Sequence, residues 1–226
     1  MRQILIHKDL GDVTTILEVF GLEVEELQEV AVANFSAQVD CTVDDAPTAP
    51  GFIGWNASVR ALRELLTARG WVRKDIKNSP RIVNETGNMS IMVSTGDEYT
   101  GNSFATPSTK SVKGTTTRLA IKQNECSELL FLEEEIPQVL PVAAIGHSSK
   151  STWIFLIYVH IDRASDTPRH IVRCELSLPV GMNDTGYVSA WSERIILPEI
   201  TVDPDDLSRE TEGFAPEQEI PLKRKK

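Results

Sequence analysis

This sequence of 226 residues contains no long apolar run and no pair of closely spaced cysteines, and we expect no secretory signal. No stretch approaches eighteen consecutive apolar residues, so we expect no membrane-spanning helix. The N-terminus lacks the long apolar core and the small-residue cleavage site of a signal peptide, so we expect a cytoplasmic location.

Cysteine is scarce, with only Cys41, Cys126 and Cys174 in the whole sequence. They lie far apart and in no C-x-x-C spacing, which argues against a disulfide framework and against a redox motif. We expect reduced thiols that behave as small hydrophobic side chains, and no metal site built on them.

Motifs for nucleotide cofactors and nucleophilic catalysis are absent as well. The sequence contains no G-x-x-x-x-G-K-[S/T], no G-x-G-x-x-G and no serine elbow. We therefore expect no cofactor, and we favour a non-catalytic protein while leaving enzymatic activity open.

Charge is present in quantity and is segregated along the chain. Residues 1–55 carry a net charge of −8, residues 56–122 carry +6, and residues 123–226 carry −8, within a total of −10. A basic island between acidic flanks indicates either an anionic partner or neutralisation within the fold.

The first half of the chain predicts helices followed by a hairpin. A helix capped by Asp12 or Thr14 extends to about residue 33, and Gly21 can divide it into two pieces. A second, amphipathic and basic helix is predicted from Asn56 to Gly70. Residues 81–94 then predict a β-hairpin.

The last third of the sequence predicts a sheet. Residues 152–162 are apolar at both odd and even positions, which is typical of a central strand covered on both faces. With residues 169–178 and 187–197 they predict a three-stranded antiparallel meander. The fold class expected is α+β, with one principal amphipathic helix on a mainly antiparallel sheet.

Composition suggests three regions. They are an acidic N-terminal helical subdomain (1–50), an α+β core (51–200) and an acidic tail (201–226) that we expect to be extended or disordered.

The segment Ser94–Arg118 is the best candidate for a site. It is rich in Gly, Ser and Thr, it shows no hydrophobic period, and it leaves the end of a predicted strand. Its acids, Asp97 and Glu98, come early and its bases come late. Lys113 and Thr115 stand just before a predicted short helix that ends before Cys126, an arrangement suited to an anion.

These patterns give one preferred function and two alternatives. We predict a non-catalytic binding or accessory protein that engages a nucleic acid or nucleotide phosphate, together with a protein partner. The predicted phosphate-binding residues are Arg60, Arg63, Arg73, Lys74, Lys110, Lys113, Thr115 and Arg118.

The first alternative is a metal-dependent enzyme acting on nucleotides or nucleic acids, with Asp97 and Glu98 as metal ligands. Against it, the downstream sequence Arg118–Lys122 has alanine where a nuclease would place its next carboxylate. The second alternative is an acidic protein that mimics nucleic acid and occupies a DNA-binding partner.

Overall fold

A computed structural model describes residues 4–133, 150–162 and 169–202. Within them the chain forms four helices and eight strands. The helices are α1 (Leu10–Val19), α2 (Val24–Val39), α3 (Ala49–Thr67) and α4 (Thr115–Glu133). The strands are β1 (Leu5–His7), β2 (Val72–Ile76), β3 (Ser79–Val83), β4 (Met89–Thr95), β5 (Ser151–Asp162), β6 (Arg169–Met182), β7 (Val188–Ile196) and β8 (Ile200–Val202).

The strands make one sheet in the order β1-β7-β6-β5-β4-β3-β2, and β8 pairs with the start of β6. Only the β1–β7 and β4–β5 pairs are parallel. The predicted hairpin is present as β3 and β4, and β5, β6 and β7 pair antiparallel in chain order. The prediction of a mainly antiparallel α+β fold is therefore confirmed.

The central strand β5 is covered on both faces, as its apolar sequence predicts. Trp153, Phe155 and Ile157 point into a large core shared with α1, α2 and α3. Ile154 and Leu156 point to the other face, into a smaller cluster with Ile121 of α4. Alternate side chains of one strand thus bind two separate layers to the sheet.

Four helices pack on this sheet rather than one principal helix. The predicted N-terminal helix is divided after Val19, and Gly21 lies between the two parts. Residues from the predicted N-terminal subdomain and from the predicted core share the single large cluster. Residues 203–226, where we predict an extended tail, lie outside the described residues.

Four predicted helix boundaries are wrong. Helix α1 begins at Leu10, after Asp9, and not after Asp12 or Thr14. Helix α2 ends at Val39 instead of near residue 33.

The other two boundaries belong to α3 and α4. Helix α3 begins at Ala49, seven residues before Asn56, with a proline in its first turn, a position that helices tolerate. The sequence of its first residues is typical of a loop, yet these residues are helical in the structure. Gly54 lets this part of α3 pack closely against α2. A Cβ at that position would lie 2.8 Å from the carbonyl oxygen of Asn34.

Helix α4 continues to Glu133 instead of stopping before Cys126. Its first half is anchored to the sheet. Asn124 is buried, and its amide nitrogen donates to the carbonyl oxygens of Thr152 and Pro179, each at 2.9 Å. Its carbonyl oxygen accepts the main-chain N–H of Thr152, also at 2.9 Å. One side chain therefore fixes α4 against both β5 and β6.

None of the helices among residues 4–133, 150–162 and 169–202 is long and apolar enough to cross a membrane.

Replacing Asn124 by alanine should lower the free energy of unfolding by about 2 to 4 kcal/mol, because it leaves buried main-chain groups without partners. Urea denaturation followed by circular dichroism measures this loss. The neighbouring change Glu125→Ala, at an exposed position of the same helix, should cost less than about 0.5 kcal/mol. Equal losses of unfolding free energy in the two variants would show that the side chain of Asn124 contributes no more to stability than that of Glu125.

Candidate functional site

The predicted loop is ordered, and it lies across the face of the sheet that α4 leaves open. We call residues 96–114 the cover loop. Its main chain bonds to the sheet at several points: Gly96 N donates to Ile157 O, Thr109 N to Val188 O, and Lys113 N to Gly186 O, all at 2.9 to 3.1 Å. The cover loop is therefore a second covering layer with a fixed path.

A buried ion pair holds the middle of the cover loop. Glu175 of β6 and Arg194 of β7 are 0% and 1% exposed, and they form two contacts of 2.6 and 3.0 Å. Arg194 also donates to the carbonyl oxygens of Ala105 and Asn102, at 2.8 and 3.1 Å. Both charges therefore have partners, and two carbonyl groups of the loop accept hydrogen bonds from a charged guanidinium group.

Gly101 lets the loop approach this pair closely. Its N–H donates to Glu175 at 2.9 Å, and its φ of +76° lies in the left-handed region that glycine tolerates best. A Cβ at this position would stand only 3.0 Å from the Cβ of Arg173. A larger residue at position 101 would therefore displace the loop from the carboxylate.

The two predicted metal ligands have different surroundings. Asp97 accepts the main-chain N–H groups of Tyr99 and Ser108, one on each carboxylate oxygen, at 3.2 and 2.9 Å. It therefore closes the loop on itself. Glu98 is exposed. No group of three or more His, Cys, Asp and Glu side chains that could hold a metal occurs in the described part of the chain.

An open cleft of about 880 Å³ lies beside the end of the cover loop, and we call it the lysine cleft. Lys77, Lys110 and Lys113 line it, and none of its described lining residues is acidic. Its walls come from the first turn of α3, the β2–β3 turn, the end of β4, the end of the cover loop and the first turn of α4. Its volume is typical of sites for small organic ligands.

The β2–β3 turn brings Lys77 to the lysine cleft. Ile76 pairs with Ser79, so Lys77 and Asn78 form a two-residue hairpin loop. Their φ angles are 44° and 52°, which is the left-handed geometry of a type I′ turn. Asparagine tolerates this conformation well, and lysine much less so. The turn thus holds a strained lysine at the mouth of the cleft.

Lys113 is the most buried of the three cleft lysines. Its Nζ donates to the hydroxyl oxygens of Ser94 and Ser111, at 2.7 and 3.0 Å, and it makes no ion pair with a described carboxylate. Burial lowers the pKa of Lys113 to about 8, because desolvation disfavours the charged amine. At neutral pH the amine is still mostly protonated, so the cleft contains a poorly solvated positive charge.

The first turn of α4 adds hydrogen-bond donors to the same cleft. The first bond at this end runs from Arg118 N to Gly114 O, at 3.1 Å, so the amides of residues 115–117 precede the bonded part of the helix. Such amides, with the helix dipole, favour anions. Arg81 holds this turn in place by donating to Thr116 O at 3.2 Å, and burial lowers the pKa of Arg81.

Ser79 also lines the lysine cleft, and it is 8% exposed. Its hydroxyl has no hydrogen-bond partner among the described residues, but the oxygen atom is itself buried. The hydroxyl therefore adds no donor or acceptor to the open part of the cleft.

The structure brings together only part of the predicted phosphate-binding set. Lys110 and Lys113 line the lysine cleft, and Thr115 begins the helix whose next two residues line it. Arg118 is exposed and lies near Gly186, on the side of the β6–β7 turn.

The other four predicted residues do not line the lysine cleft. Arg63 donates to the carboxylate of Asp75 and to the carbonyl oxygen of Arg81, so its charge is used within the fold. Arg60 is exposed on α3, and Arg73 and Lys74 are exposed on β2.

Some residues of the cleft lining were not predicted, namely Lys77, Ser79 and the aromatic residues of α3. A signal for Lys77 exists, because Lys77-Asn78 separates two short runs with strand character and Asn favours a hairpin turn. No local signal marks Ser79. Trp55 and Phe52 reach the cleft only because α3 starts earlier than its helical pattern suggests.

Breaking the buried pair should loosen the cover loop. Glu175→Gln and Arg194→Met should each lower the free energy of unfolding by about 3 to 5 kcal/mol, and the double variant by less than the sum. Chymotrypsin should also cleave faster after Phe104, whose side chain is 93% exposed within the loop.

The exposed ion pair of Arg63 and Asp75 provides the control for this comparison of single and double variants. Asp75 is 66% exposed in its side chain, so Asp75→Asn should cost no more than about 1 kcal/mol and leave cleavage after Phe104 unchanged. Additive losses from Glu175→Gln and Arg194→Met would contradict the anchor role.

Removing the buried charge at Lys113 should stabilise the protein. Because its folded pKa lies below the usual 10.5, the unfolded state binds more protons between pH 8 and 10.5. Lys113→Met should raise the free energy of unfolding at pH 7 by about 1 to 3 kcal/mol, and this advantage should shrink as pH rises towards 10. Urea denaturation at several pH values measures the difference. Lys122→Met, on the exposed face of α4, should change stability little at any of them.

No family model, no curated protein and no solved structure matches this chain.

Proposed function

We propose that this is a non-catalytic binding protein that engages a phosphate-bearing ligand at the lysine cleft. The observation that carries the proposal is the charge of the lining, which includes three lysines and no described acidic residue. Like charges that gather without a neutralising partner raise the free energy of the free protein, and an anion in the cleft offsets that cost.

The donors of the cleft suit phosphate oxygens. Lys77 and Lys110 make no ion pair with a described carboxylate, and Lys113 already shares its Nζ with two hydroxyl groups. The amides at the start of α4 lie beside them. Ammonium groups combined with helix N-terminal amides are a common solution for binding phosphate.

The metal-dependent alternative finds less support in the geometry. Both carboxylate oxygens of Asp97 already accept main-chain N–H groups, and they hold the cover loop in shape. The mimicry alternative rests on acidic side chains, and some of these are used within the fold, since Glu23 and Glu26 pair with Arg69. The preferred function therefore remains anion binding.

Two lysine variants test the proposal. Wild-type protein should bind inorganic pyrophosphate in isothermal titration calorimetry at low ionic strength, and Lys110→Ala or Lys113→Met should each weaken binding about ten-fold or more. Raising the salt concentration should weaken wild-type binding, because screening acts on the attraction between charges.

Lys122→Ala is the matched control, since Lys122 is an exposed lysine of α4 that does not line the cleft. It should bind pyrophosphate within two-fold of the wild type. Absence of binding by the wild-type protein at low salt, or equal weakening by Lys122→Ala, would count against the lysine cleft as an anion site.

A further inference from the structure

The lining of the lysine cleft combines two kinds of group. The β2–β3 turn, the end of the cover loop and the start of α4 contribute the lysines and the amides. The first turns of α3 contribute Phe52 and Trp55 to the same lining, together with Pro50. A lining with both cations and aromatic rings suits a ligand that carries both phosphate and a flat ring.

The ring of Phe52 is exposed, so a flat ligand can stack on it. Its side chain is 64% exposed, although most large aromatic rings bury most of their surface. It contacts Trp55 at 5.9 Å between ring centres, with 43° between the planes. Trp55 is fixed in turn, because its Nε1 donates to Val93 O at 3.1 Å. The aromatic wall therefore has a rigid base and an open outer ring.

We infer that the ligand of the lysine cleft is a nucleotide, with its phosphates among Lys77, Lys110 and Lys113 and its base stacked on Phe52. This inference rests on the proposed anion-binding function and narrows it to one ligand class. The base and phosphate chemistry is shared by a free nucleotide and by the end of a single strand, and base stacking on aromatic side chains serves both.

The test compares ligands with and without a base. Wild-type protein should bind adenosine diphosphate at least ten-fold more tightly than pyrophosphate or ribose 5-phosphate in calorimetry at low ionic strength. Phe52→Ala should remove most of that advantage and leave pyrophosphate affinity within two-fold, whereas Phe52→Tyr should keep it. Circular dichroism checks that each variant is folded.

Phe104→Ala provides the matched control. Phe104 is also an exposed aromatic residue, but it belongs to the middle of the cover loop, does not line the cleft and contacts Lys8 instead. Its removal should leave the affinity for adenosine diphosphate unchanged.

The outcomes separate this inference from the function on which it rests. One outcome is that adenosine diphosphate and pyrophosphate bind with equal affinity and that Lys113→Met abolishes the binding of both. That result would contradict a nucleotide as the ligand and would support the lysine cleft as an anion site. Failure of every phosphate compound to bind would overturn both. A 5′-phosphorylated oligonucleotide that binds more tightly than the free nucleotide, with the same dependence on Phe52, would identify a strand end as the source.

Discussion

The sheet has to be covered on both faces, and this constraint organises the molecule. Strands β5 and β6 are buried on each side, and only one side has three helices to cover it. The other side is shared by α4 and a polar loop, which can lie there because Glu175 and Arg194 give its main chain buried partners. A buried ion pair adds little net stability, but it strongly disfavours any path of the loop that leaves the charges unpaired.

The position of the cover loop in turn decides where positive charge gathers. Its last residues carry Lys110 and Lys113 to the edge of the sheet, where the β2–β3 turn presents Lys77. Two acids of the N-terminal region, Glu23 and Glu26, pair with Arg69 and not with these lysines. A fold that leaves three lysines in one cleft and desolvates one of them gives up stability there, as is common at binding sites.

Much of the secondary structure could be predicted, and the errors have a common cause. Hydrophobic alternation indicated the hairpin and the strands from residue 151 to residue 196, since these patterns are local. The start of α1, the end of α2, the start of α3 and the end of α4 were wrong, since helix ends also depend on contacts with other elements, as the close approach of Gly54 to α2 illustrates. The candidate site was found in part: Lys110 and Lys113 stand in an unusual segment, whereas Ser79 has no local mark at all.

The sequence by itself determined that β5 would be covered on both faces, that a long polar segment would follow β4, and that bases would outnumber acids in the middle of the chain. The tertiary structure alone decided that this segment is ordered and that only some of those bases meet. The physical reason is distance along the chain: Gly101 contacts Glu175, and Lys77 and Lys113 line the same cleft. Such long-range contacts depend on burial and register, which no short stretch of sequence specifies.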